Sequence, residues 1–498
     1  MQVIPSYNVS SASIVATMRS SILLSAAFAP AALAIFRDKP KNFIFVIPDG
    51  MAPVSQTIAR TYLDALNSGI SIDEMPIGNT RTHSANNLVT DSAAAGTALA
   101  SGFKTNNGAI GVTADNQPVG TILEAAKLEG YLTGLVVTSI VNHATPASFS
   151  SHVIDRNAFA AIVEQQVGLS HPLNQSVDVL LGGGRCYFKP QSDPTSCRED
   201  DLDIFKFARE KGYYVATNRS AFNAISESRG RINLPWLGTF NDGDLNYDLD
   251  RQQQPEAERE PSLSEMTSQA LEALENATRC RGLRCLVKRG KGFFLMIEAS
   301  RIDHASHASD GAAHLHEVLE YERVMALVRR WIDDHPDTAM ISVADHETGG
   351  LTIPSRYNVK ALTGAKKTAE TLADEFRSYN GTDRRSFLTS TILPAYGVSD
   401  ATPAEIEQLV AGGDSFALNL ANVLNTRSGL KWSTGGHTGV DTTLFGYAKG
   451  RMGDELKLAL AGNHDNIEIP RYLERALGVS MDEVTRQLRA KGTGWIPA

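Results

Sequence analysis

Phe43-Ile44-Phe45-Val46-Ile47 runs straight into Pro48-Asp49. Five consecutive apolar residues without polar alternation predict a strand buried on both faces. Four more runs of this kind follow, at 134–141, 177–181, 293–297 and 338–344. Helical patterns separate them, at 119–129, 156–167, 262–277 and 312–332. Ser262 with Glu265 three residues on, behind Pro261, is a capping-box signature for the third of these helices. Continuous apolar strands alternating with amphipathic helices predict an α/β fold: a large central, mostly parallel β-sheet flanked by helices on both faces. The polar stretch 229–261 reads as a long surface excursion. Over 356–432 the alternation weakens, which predicts an inserted subdomain near the site. Residues 443–448 then return to the sheet. The catalytic α/β domain is thus expected in two parts, 41–355 and 433–498. No repeat at solenoid periods occurs.

Composition bounds the function. A chain of 498 residues, 42% hydrophobic and 21% charged, is neither disordered nor a disulfide-scaffold miniprotein. With 47 Lys+Arg against 56 Asp+Glu the formal charge is −9, and no basic stripe is available for general nucleic-acid binding. Residues 22–36, ILLSAAFAPAALAIF, follow Arg19 and are broken by Pro30. With Ala32-Leu33-Ala34 as a small-residue cleavage site, they predict a signal peptide over 1–34, a retained signal-anchor being the alternative. Sequons at Asn174, Asn218, Asn276 and Asn380 agree with glycosylation on the secretory route. The cysteines fall as two close pairs, Cys186/Cys197 and Cys280/Cys285. Local loop closure favours two disulfides; zinc ligation is the rival, though the spacing matches no finger or ribbon. The expected destination is the secretory pathway.

Chemistry gathers where the apolar strands end. The first leads to Asp49, the second to His143 and Thr145, the fourth to Glu298 and the fifth to Asp345-His346. Ligand sites of open α/β sheets lie outside the carboxyl ends of strands, so these side chains converge on one edge. Asp303-His304 and His307 follow Glu298, and His437 sits in Gly435-Gly436-His437-Thr438-Gly439. Carboxylates with imidazoles suit zinc, and carboxylates with a hydroxyl suit magnesium. Asp303 and His307, four apart, share one face of a helical turn. Ser92, before the small-residue stretch 93–100, would face free backbone N–H groups, an anion site, although Asp91-Ser92 also fits a simple N-cap. An unassisted serine is a poor nucleophile, and here metals are placed to activate it. Gly182-Gly183-Gly184 reads as a turn, and His152, His314, His316 and Tyr321 as packing or surface groups.

The run Val89-Thr90-Asp91-Ser92-Ala93-Ala94-Ala95-Gly96-Thr97, with Asp345-His346-Glu347-Thr348-Gly349-Gly350 and His437-Thr438-Gly439-Val440, resembles the alkaline phosphatase family, most closely fungal secreted or vacuolar members. The resemblance spans about 41–448. It implies a phosphomonoesterase of broad specificity and alkaline pH optimum, working through a phosphoserine at Ser92, and a homodimer. It further implies two zinc ions and one magnesium: one zinc on Asp303, His307 and His437, the second on Asp49, Asp345 and His346, and magnesium on Asp49, Thr145 and Glu298. Arg156 matches the family's phosphate-binding arginine, whose planar fork grips two phosphoryl oxygens. His143 and His304 match positions that vary in the family and are read as tuning the third metal from outside its ligand set. A phosphodiesterase or sulfatase of the same superfamily is the runner-up; the absence of Cys at the nucleophile position weighs against the sulfatase.

Overall fold

The structure, a computed structural model, describes residues 39–279 and 291–497. The predicted signal segment, Cys280 and Cys285 lie outside them. Twelve strands are described: β1 (Asn42–Ile47), β2 (Pro76–Arg81), β3 (Leu132–Ile140), β4 (Val179–Gly183), β5 (Tyr214–Ala216), β6 (Trp236–Thr239), β7 (Phe293–Glu298), β8 (Thr338–Val343), β9 (Glu347–Thr348), β10 (His437–Thr438), β11 (Thr442–Ala448) and β12 (Gly462–Asp465). Ten form one sheet in the order β12-β2-β11-β8-β1-β7-β3-β4-β6-β5, and β9 pairs with β10 in a small ribbon. Only β11 runs against its neighbours, β8 and β2; the other pairings of the large sheet are parallel. The mostly parallel α/β architecture expected from the strand runs is therefore present.

Every residue of β1, β7 and β8 is buried, because helices cover both faces. Helix Leu263–Thr278 begins as its sequence predicts: Ser262 accepts from Glu265 N, and the Glu265 carboxylate accepts from Ser262 N. The long helix Gly311–Asp334 buries Leu315, Val318, Tyr321, Val324, Met325 and Val328 into the same core.

Two readings need correction. The stretch 229–261 is not simply a surface excursion: it contributes β6, where Trp236 is fully buried between β4 and β5. Its flanking Asn, Asp and Arg residues masked a four-residue strand too short to show a period. Gly182 and Gly183 belong to β4 rather than to a turn, and only Gly184 adopts the left-handed backbone expected of one. Residues 356–432 are helical, with Ala369–Ser378, Pro403–Val410 and Phe416–Ser428 as the main elements. Phe376, Phe416 and Leu420 join the main hydrophobic core, and Tyr396 donates to Asp310 at 2.8 Å. Cys186 and Cys197 form a disulfide with a Cα separation of 5.0 Å. No helix among the described residues is long and apolar enough to cross a membrane.

Candidate active site

Strands β8, β1, β7 and β3 lie side by side at the middle of the sheet. Their carboxyl ends present Asp345-His346, Asp49, Glu298 and the segment His143–Thr145 to one place. Asp49, Thr145, Glu298, Asp345 and His346 are all buried. Thr145 Oγ1 donates to Asp49 Oδ2 at 3.3 Å, and Gly50 N donates to Asp345 Oδ1 at 3.3 Å. His346 Nε2 stands 3.2 Å from Asp345 Oδ2 and 3.7 Å from Asp49 Oδ1.

A second cluster lies beside it. Helix Arg301–His307 places Asp303 and His307 on one face, with His307 Nε2 3.4 Å from Asp303 Oδ2. His437, on β10, stands 3.6 Å from Asp303 Oδ1, and its ring stacks on His346 at 3.6 Å between centroids. The other ring nitrogens decide the protonation. His307 Nδ1 donates to Gly435 O at 2.6 Å and His437 Nδ1 to Thr90 O at 2.8 Å. An Nε2 without a proton then turns its lone pair inward, and the two Nε2 atoms lie 3.1 Å apart beside the Asp303 carboxylate, whose hydrogen bond pushes His307 up to about 9. Such an arrangement of acceptors requires a proton or a cation between them, and backbone-anchored imidazoles are the usual form of metal-ligating histidine.

The carboxylates give the same answer. Asp49 Oδ1, Glu298 Oε1 and Asp345 Oδ2 are buried without a hydrogen-bond partner. Burial pushes Glu298 up to about 7. Burial, together with the charge of Asp303, pushes Asp345 up to about 6. Asp49 rises as well, from burial and then from Asp345, Asp303 and Glu298. Crowded buried carboxylates with free oxygens fit cations, which would remove the mutual repulsion. Asp49, Asp345 and His346 bring ligand atoms within 4.8 Å of one another, as do Asp303, His346 and His437. His346 thus stands between the two clusters.

Ser92 opens the buried helix Ser92–Ser101. Asp91, not Ser92, is the N-cap: its Oδ1 accepts from Ala94 N at 2.9 Å. That leaves Ser92 Oγ free to face the cluster of carboxylates and imidazoles, 3.1 Å from His346 Nε2. Asp91 Oδ2 holds Arg156 Nη1 at 3.0 Å, and Arg156 Nη2 lies 3.4 Å from His143 Nε2. Burial first, then Arg156 and His304, push His143 down to about 3, so its imidazole is neutral. His143 and His304 meet edge to face at 5.6 Å.

Sequence reasoning missed Asp244, Arg301 and Thr348. Asp244 Oδ2 accepts from Arg301 Nη1 at 2.9 Å and lies 3.5 Å from His304 Nδ1; it belongs to the stretch read as surface. Thr348 Oγ1 donates to Asp303 Oδ1 at 2.5 Å. Its place two residues after His346 on β9 was the available signal.

A buried serine at a helix N-terminus beside clustered carboxylates and imidazoles, on the carboxyl edge of an α/β sheet, defines a metal-dependent hydrolase. An alkaline phosphatase family profile matches residues 40–479. The chain is 41% identical to an alkaline phosphatase of Schizosaccharomyces pombe, covering 91% of this chain and 84% of that one. It is 37% identical to the repressible alkaline phosphatase of Saccharomyces cerevisiae, with the same coverages. Among solved structures, Thermus thermophilus alkaline phosphatase superposes with a TM-score of 0.74 at 28% identity, covering 93% of this chain and 100% of that one. The chain belongs to the alkaline phosphatase family, and its activity is the family's, hydrolysis of phosphate monoesters.

Proposed function

We propose that this enzyme hydrolyses phosphate monoesters through a phosphoserine at Ser92, with Arg156 as the phosphate-binding arginine. The observation that carries the reading is the freedom of Ser92: Asp91 takes over the capping, and Ser92 Oγ faces His346 Nε2 at 3.1 Å. The ligand sets we propose are zinc on Asp303, His307 and His437, a second zinc on Asp49, Asp345 and His346, and magnesium on Asp49, Thr145 and Glu298. Mixed nitrogen and oxygen donors favour zinc, and an all-oxygen set favours magnesium. When bound, these ions supply Lewis acidity that favours the ionised serine and neutralises phosphoryl charge.

The protein's own groups do the rest. The N–H groups of the Ser92 helix and the Arg156 fork hold phosphoryl oxygens, with Asp91 fixing the guanidinium. Ser92 Oγ bonds to phosphorus as the ester P–O bond breaks, and the alcohol leaves carrying the proton that Ser92 gave up. Water then cleaves the Oγ–P bond, releasing phosphate and restoring the hydroxyl. All of these contacts grip the phosphoryl group and none the alcohol, which supports broad specificity. Ionised oxygen nucleophiles support an alkaline optimum.

We further propose secretion through the N-terminal segment, membrane attachment only where that segment is retained, a homodimer, and 356–432 as the inserted crown. Asn174 and Asn380 are exposed and suit glycosylation. Asn218 caps a helix, and Asn276 Nδ2 donates to Arg229 O at 2.7 Å, so these two sequons are the less suited. The deciding test compares p-nitrophenyl phosphate, its diester and its sulfate in wild type and Ser92→Ala, alongside metal analysis. Wild-type turnover by the variant refutes the covalent route.

A further inference from the structure

Outside the site, Glu124, His152 and His171 form a buried cluster, and none of the three is more than 4% exposed. Glu124 Oε1 lies 3.0 Å from His152 Nε2 and 2.9 Å from His171 Nε2. Glu124 Oε2 accepts from Thr121 N at 2.9 Å. Hydrogen-bond logic assigns the protons. His152 Nδ1 lies 2.6 Å from Gly111 O, and a carbonyl only accepts, so Nδ1 carries a proton. His171 Nδ1 accepts from Leu173 N at 3.1 Å, so the proton of that ring is on Nε2, facing Glu124. An ionised Glu124 between them needs a proton on His152 Nε2 as well, which makes His152 an imidazolium. The charge of Glu124 and its hydrogen bond raise His152 above its usual value despite burial, in keeping with that assignment. The three side chains bring ligand atoms within 4.8 Å of one another, but the Leu173 N–H keeps a proton on the His171 nitrogen that a cation would need.

The cluster is tied to the catalytic elements. Gly111, which accepts from His152, donates its own N–H to Thr97 Oγ1 at 3.0 Å, on the Ser92 helix. A Cβ at Gly111 would meet His152 Nδ1 at 2.6 Å, so glycine is what lets the ring approach. Val153 pairs with Ile110 through two backbone bonds, and Arg156 N donates to Gly108 O at 2.8 Å. Gly108 N in turn donates to Asp91 Oδ2, the oxygen that also holds Arg156 Nη1, each at 3.0 Å. Segment 108–111 therefore joins the Arg156 loop, the Asp91 cap and the serine helix.

We propose that the Glu124–His152 ion pair is the positioning element of Arg156, pinning the loop that carries it to segment 108–111 and so fixing the guanidinium against Asp91 and Ser92. The inference rests on the reading of Arg156 as the phosphate ligand. Loosening the loop weakens binding of the phosphoryl group rather than the chemistry that follows.

The test is steady-state kinetics of the metal-loaded full chain with p-nitrophenyl phosphate, with inorganic phosphate as competitive inhibitor and metal content measured alongside. His152→Ala is expected to raise the phosphate Ki and KM together by about 5- to 20-fold, the size of a weakened charge-assisted contact. kcat falls by less than KM rises, and metal content is unchanged. Arg156→Ala raises Ki at least as much, and the double variant is no worse than Arg156→Ala alone. Glu124→Gln, which keeps the side-chain volume, shows the same pattern at about 3-fold and covers the case in which alanine at buried position 152 prevents folding. A structural defect alone would lower kcat through loss of active enzyme and leave Ki unmoved, which overturns the proposal. So does a double variant whose effects multiply, or a metal equivalent lost with His152→Ala. A wild-type Ki in Arg156→Ala overturns the reading of Arg156 itself, and this inference with it.

Discussion

Replacing Gly50 by alanine perturbs the site through backbone geometry alone. Gly50 follows Asp49 at φ +72°, a left-handed conformation that costs a non-glycine residue about 1–2 kcal/mol. A Cβ there would lie 2.8 Å from Asp303 Cα, 2.9 Å from Asp303 Cβ and 2.8 Å from Thr348 Oγ1. Ordinary contact begins near 3.4 Å, so Asp303 and Thr348 must retreat by 3.4 − 2.8 = 0.6 Å. None of the three atoms is the free end of a flexible side chain, so the shift passes to the Asp303 carboxylate facing His307 and His437. A misplacement of about 1 Å costs about 10²-fold in rate, which puts a 0.6 Å shift at about 10-fold or more in kcat/KM. Melting temperature should fall only by the amount the backbone strain explains. The assay is kcat/KM on p-nitrophenyl phosphate with metal content and thermal unfolding of the same sample. Gly50→Ala with full metal content and wild-type kcat/KM would refute the argument that close packing at this glycine sets the position of Asp303.

Ser92→Ala should keep its metals and lose about 10³-fold or more of activity, read by single-turnover kinetics and by loss of trapped phosphoserine. Thr348→Val removes the donor that orients Asp303 and should weaken metal retention about 10- to 100-fold against a competing chelator, with little change in far-UV circular dichroism. Chelation should abolish activity, and zinc with magnesium together should restore more than either alone; full recovery with calcium alone would contradict the ligand sets. Glu124 is held below its usual 4.5, because His152 and His171 outweigh the opposing effect of burial, so its stabilisation is complete above that value and declines as pH falls below it. His152 is raised above 6.5, so its share is complete below that value and is lost as pH climbs through the raised pKa. The stability difference between wild type and Glu124→Gln should therefore shrink at both ends of a pH series of urea melts, and a difference that grows steadily with alkalinity would refute the charge assignment.

The sheet was largely legible because its central strands are buried on both faces. Runs such as 43–47 and 293–297 have no other reading, and their carboxyl ends announce the side chains that follow. What escaped was short or half-buried: β6 has four residues amid polar neighbours, and β2 and β12 show no continuous apolar run. The candidate ligands were legible as residue types at strand ends, but what they do there is decided by partners no motif contains. His307 and His437 aim Nε2 inward because Gly435 O and Thr90 O take their Nδ1 protons, and those carbonyls lie 128 and 347 residues away along the chain. Asp244 was hidden in a stretch whose polarity resembles any exposed loop, although its carboxylate holds Arg301 beside His304. His152, one histidine among twelve, has no spacing signal at all. Its charge is inferred from a backbone carbonyl on one side and a carboxylate on the other. The net charge of −9 is similarly blind to place: buried acids raise one another's pKa here because they face a common point, and that convergence, not their number, makes an acidic protein fit to take an anionic substrate once cations are held there.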